Sequence, residues 1–139
     1  MSTARLLTAL LLTTSAAIAF AAPPAYLALD HSSPTLIDKP AAMAMWKAGV
    51  PAKMFRLYPV GKWGFVSEVE GGFDDAKICV VTARAMMLPR SGKALVFQPA
   101  KTATAFGSQA GATEAQCQGL AKAKLTEAID ALRSALAPR

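Results

Sequence analysis

The stretch ICVVTARAMML, residues 78–88, alternates along its whole length. One parity, Cys79, Val81, Ala83, Ala85 and Met87, is entirely apolar or small. The other mixes Val80 and Met86 with Thr82 and Arg84. A period of two is that of a strand with one face buried. Turn chemistry bounds it on both sides, Gly71-Gly72-Phe73-Asp74-Asp75 before it and Pro89-Arg90-Ser91-Gly92 after it. Upstream, the period changes to two from Met54, and Trp63, Phe65, Ser67 and Val69 alternate with Lys62, Gly64, Val66 and Glu68, so a first strand precedes the hairpin. Downstream, Lys93 to Gln98 reads as a third strand and, after Pro99, Thr102 to Phe106 as a weaker fourth.

The period then changes. Residues 107–112 (GSQAGA) read as a loop, and Thr113 with Gln116 has the spacing of a capping box. Beyond it, Cys117, Leu120, Ala121, Leu125, Ala128, Ile129, Leu132, Ala135 and Leu136 form one stripe, with Lys122, Thr126, Glu127, Asp130 and Arg133 facing away. This helix is expected to end near Ala137, ahead of Pro138. A shorter helix is marked by Asp38 and Pro40 at its start, Ala41 to Ala48 in its body, and Gly49 and Pro51 at its stop. Its apolar side carries Met43, Trp46 and Val50.

The expected architecture is therefore α+β. A three- to four-stranded antiparallel sheet in simple meander order carries a long C-terminal helix on one face, with a short N-terminal helix beside it. Cys79 lies on the apolar side of the strand and Cys117 on the buried stripe of the helix, so both point at the same interface. One disulfide between them closes a loop of about 38 residues, which the chain-entropy relation values at about 4 kcal/mol.

The first residues specify an address. Arg5, the apolar run Leu6–Phe20 and the small-x-small triplet Ala19-Phe20-Ala21 make a signal peptide of residues 1–21, too short for a comfortable membrane span. Residues 22–37, rich in proline and small polar side chains, read as an extended arm, and 38–139 as a single domain. The whole chain carries a net charge of +6; loss of Arg5 with the signal leaves 118 residues at +5. The cations are scattered singly, which gives no nucleic-acid arm. No cysteine follows the signal to accept a lipid. A periplasmic or secreted protein without a stable membrane anchor is expected, an oxidising setting that suits the disulfide. The abundance of alanine fits a bacterial coding bias.

No catalytic, cofactor or metal constellation is legible. Gly107 and Gly111 precede a helix but lack the lysine of a phosphate-binding loop. Asp74 and Asp75, with Glu68 and Glu70 nearby, lack the alternating ligands of a calcium loop. Met43, Met45, Met54, Met86 and Met87 with His31 raise copper, yet their periodicity is that of core residues. His31 next to Ser32 and Ser33 cannot form a triad, because contiguous residues lack the geometry. Trp63, Phe65, Phe73, Tyr58 and Phe55 lie among Lys53, Arg56 and Lys62, a mix that could stack on sugars or bases but also alternates as core. What remains is the sheet face away from the helix, carrying Lys62, Val66, Thr82, Arg84 and Val96, a half-apolar surface suited to a partner. The expectation is a non-catalytic exported binding protein that meets another envelope protein: a complex subunit, an inhibitor or an immunity-type protein. The alternative is a small envelope enzyme or ligand carrier using the carboxylates near residues 68–75. A pocket gathering two or more of those carboxylates would favour the alternative.

Overall fold

The computed structural model describes residues 26–138; the signal-peptide reading of residues 1–21 lies outside them. The domain is α+β, with five strands and three helices among the described residues: β1 (Ala28–Asp30), α1 (Lys39–Gly49), α2 (Ala52–Leu57), β2 (Trp63–Phe73), β3 (Ile78–Ser91), β4 (Ala94–Leu95), β5 (Lys101–Ala110) and α3 (Glu114–Leu136). None of these helices is long and apolar enough to cross a membrane.

β3 is the central strand. β2 pairs antiparallel along one of its edges, from Phe73↔Cys79 to Trp63↔Pro89, and β5 along the other, from Ile78↔Ala110 to Met87↔Lys101. The alternation of residues 78–88 has its expected consequence: Cys79, Val81, Ala83, Ala85 and Met87 are buried under α3. The Thr113 hydroxyl accepts from the Gln116 N–H, and the Gln116 side chain accepts from the Thr113 N–H, so the capping box opens α3 as its spacing requires. Cys117, Ala121, Leu125, Ala128, Ile129, Leu132 and Leu136 form its buried stripe, while Ala135 is exposed. Cys79 and Cys117 are bonded, with Cα atoms 5.7 Å apart.

α1 is capped by the Asp38 carboxylate, which accepts from the Ala41 N–H at 2.7 Å. Its buried residues are Ala42 and Trp46, and Trp46 packs on Phe65 with ring centroids 5.5 Å apart. Burial of an indole supplies a large apolar area, though its N–H has no acceptor among the described residues.

Four expectations need correction. Residues 27–33 are docked as a parallel edge on β2: the Phe65 N–H donates to Leu27 O, the His31 N–H to Ser67 O and the Ser33 N–H to Val69 O. Residues 52–57 form the separate helix α2, although a period of two is expected from Met54. The third strand, expected over Lys93–Gln98, is only Ala94–Leu95, paired with Ser91 and Arg90 around a turn in which Gly92 takes φ +60°. Past Leu95 the chain leaves the ladder and folds over the sheet. The fourth strand is longer than expected, because Gly107–Ala110 continue the ladder opposite Ile78–Val81 and are not a loop. Unsatisfied backbone groups on β3 reward that pairing whatever the local composition.

Candidate functional site

All three helices contribute to the core on one side of the sheet. The opposite face carries Leu29 from β1, Val66, Glu68 and Glu70 from β2, Val80, Thr82, Arg84 and Met86 from β3, and Thr102, Thr104 and Phe106 from β5, as strand alternation requires. Its lower part is not open. Residues 94–100 fold across it, anchored where the Val96 N–H donates to Pro89 O and the Ala100 N–H to Met87 O. Leu95 and Leu29 then pack on a second small core of Val66, Met86 and Leu88.

The residues read as a partner face therefore separate into groups. Val66 points to this face but is fully buried within the second core, under Leu29 and Leu95, so it offers nothing to a partner. Alternation gives the side of a strand and not what lies over it. Lys62 is exposed in the turn before β2, and Val96 is exposed on the overlying segment and not in a strand. Thr82 is half-buried and Arg84 exposed, both in the open part of β3. Arg84 pairs across the strands with Glu68 at 3.1 Å, and Thr104 completes that row.

Phe97 and Phe106 fall within the expected third and fourth strands, but the sequence reading does not single either out for the partner face. Phe97 is 63% exposed and stacks on His31, with ring centroids 5.7 Å apart. Phe106 is 62% exposed, at the middle of β5. Two such rings on one face, with an ion pair between the strands, make an amphipathic surface open to solvent.

The carboxylates do not converge. Glu68 is held by Arg84, and Asp74 accepts from the Ile78 N–H at 2.8 Å, closing the β2–β3 hairpin. Three clefts of about 460, 250 and 240 Å³ lie elsewhere. The largest lies between α2 and the end of α3, lined by Met54, Leu57 and Arg133; another lies beside Phe73 and Glu114, and the third beside Gly49 and Ile129. None of these is lined by Glu68, Glu70, Asp74 or Asp75. Ser32 Oγ donates to Asp30 at 2.6 Å and accepts from the Val69 N–H, while the Ser33 hydroxyl bonds Thr35. Both hydroxyls thus serve the edge and not the His31 ring. Among the described residues no group of three or more His, Cys, Asp or Glu side chains could hold a metal ion. Comparison with protein-family models and with curated proteins finds no match for this chain.

Proposed function

We propose that this is an exported, non-catalytic interaction protein, periplasmic or secreted, whose partner is another envelope protein bound on the open part of the sheet face. One observation carries the reading. The helices cover one face, while the other leaves Arg84, Thr82, Phe97 and Phe106 accessible around the Glu68–Arg84 pair. Exposed aromatic and arginine side chains are the residue types that dominate binding energy at protein interfaces. The apolar run and small-x-small triplet before Ala22, together with a disulfide buried in the core, support an oxidising destination.

The test is site-specific photocrosslinking in the periplasm of the producing cell. A photoreactive residue at position 82, 84 or 97 is expected to trap one discrete partner, while the same residue at Ala123, on the exposed side of α3, traps none. Equal yields from both surfaces, or none from the sheet face, would reject the assignment.

A further inference from the structure

The two ends of the sheet are built differently. β1, at one end, is three residues long and is followed closely by Pro34. Such shortness blunts an edge against pairing with other strands. β5, at the other end, is ten residues long, and among the described residues nothing pairs with its outer edge. Its ladder with β3 runs unbroken for ten pairs, so no bulge twists that edge away. From Thr102 to Ala110 it contains neither a charged residue nor a proline. Past Lys101, this strand carries none of the charges, prolines or bulges that keep natural edges apart.

The uncharged stretch Thr102–Ala110 is centred on Phe106, the exposed ring at mid-strand. An antiparallel pairing of two such edges about Phe106 sets Phe106 opposite itself, Thr104 opposite Ser108, and Thr102 opposite Ala110. Every residue of the stretch finds a partner, and Lys101 stays outside the ladder at each end. Directly opposed side chains of this kind are the unit of sheet stabilisation, with aromatic pairs among the better ones. At about 3.4 Å per residue the shared edge is about 30 Å long, and a sheet layer is about 10 Å thick. α3 lies over β5, with Leu120 and Lys124 against Gly107, and adds a second layer of similar depth. The two layers together bury about 600 Å² per copy, or about 1,200 Å² in total, the lower bound for a specific interface.

We propose that β5 is a homodimerisation edge: a second copy of this chain pairs with it antiparallel about Phe106, joining two sheets into one. The inference does not depend on the proposed function, although Phe106 borders both surfaces: it uses the outer edge of β5, and crosslinking at positions 82, 84 and 97 tests the partner face separately. An interface at this lower bound is typical of a weak, reversible association, so sedimentation is run as a protein-concentration series up to about 100 μM. Over that range the mature wild-type chain is expected to approach twice the monomer mass. Phe106→Lys places two cations face to face and is expected to restore the monomer mass, with the circular dichroism spectrum unchanged because the side chain is exposed. Since both native cysteines are bonded to each other, an added thiol reports register: F106C should form a disulfide-linked dimer under mild oxidation, and T102C should not. A wild-type chain that stays monomeric, an F106K variant that still dimerises, or equal cross-linking of the two thiol variants would each overturn the proposal.

Discussion

Opening the Cys79–Cys117 bond tests the packing of α3 on the sheet, because both cysteines are buried and their separation in sequence is 38 residues. Inserted in the loop-closure relation, that separation gives about 13 cal/mol/K, or about 4 kcal/mol at 25 °C. The reduced chain remains partly compact, which lowers the loss to about 2–4 kcal/mol. Unfolding entropy near about 2.1 cal/mol/K per residue makes each kcal/mol worth about 4 °C for a domain of this size, so reduction should lower Tm by about 8–16 °C. The assay is scanning calorimetry of the oxidised protein, the reduced protein and the C79A/C117A double variant. The double variant should melt at or below the reduced protein, because it also leaves space where two sulfur atoms had packed. Two titratable thiols in the denatured, unreduced protein, or a Tm shift under about 2 °C, would refute both the bridge and the register of α3 that depends on it.

Trp46 separates shape from polarity: Trp46→Ala should cost about 3–5 kcal/mol. Trp46→Phe should cost under about 1.5 kcal/mol in urea melts, because the lost volume is offset by removing a buried N–H without an acceptor. Gly71 has φ +130°, and a Cβ there would lie 2.0 Å from Val80 O; Gly71→Ala should therefore lower stability by at least about 2 kcal/mol, measured the same way. Ser67, fully buried, donates to Asp30 Oδ1 at 2.7 Å. Ser67→Ala should cost about 1.5 kcal/mol, the low end for a hydrogen bond to a charged group, since Ser32 still donates to Asp30. For export, the intact mass of periplasmic protein should correspond to a chain starting at Ala22; a retained Met1 in the membrane fraction would refute cleavage.

The parts of the fold legible in the sequence are those with enough residues to express a period. Residues 78–88 and the stripe from Cys117 to Leu136 each span several repeats, and the disulfide follows from the intersection of the two. β1 has three residues and α2 six, too few for periods of 2 and 3.6 to be told apart from chance. β5 beyond Phe106 reads as a loop because Gly107, Ser108 and Gln109 have loop composition, and only the exposed ladder of β3 makes them a strand. For the candidate site, parity placed Thr82 and Arg84 on the face away from α3. It could not show that Leu95 returns over Val66, since the segment carrying Leu95 leaves the ladder after two residues. Phe97 escaped notice for the same reason: its place on the face depends on a chain path, not on a repeat.

The separation of stability from recognition follows from how α3 is fastened. Near its start the helix is bonded to β3 through Cys117, and near its end the Tyr58 hydroxyl donates to Leu136 O at 3.1 Å and Arg133 to Gly49 O at 3.2 Å. Between these anchors, Ala83, Ala85 and Ala105 of the sheet share one core with Leu125 and Ala128 of α3, while Ile129 lies against Gly49 of α1. Close packing of this kind resists changes of even one methylene, so the covered face has little freedom to vary. Arg84 lies between Ala83 and Ala85 in the same strand yet points the other way, where its ion pair with Glu68 is solvent-exposed and contributes under about 1 kcal/mol. Its side chain can therefore be chosen for what it binds. α3 thus takes one parity of β3 for the main core, residues 94–100 cover Met86 and Leu88 on the other side, and only the stretch around Thr82 and Arg84 stays uncovered.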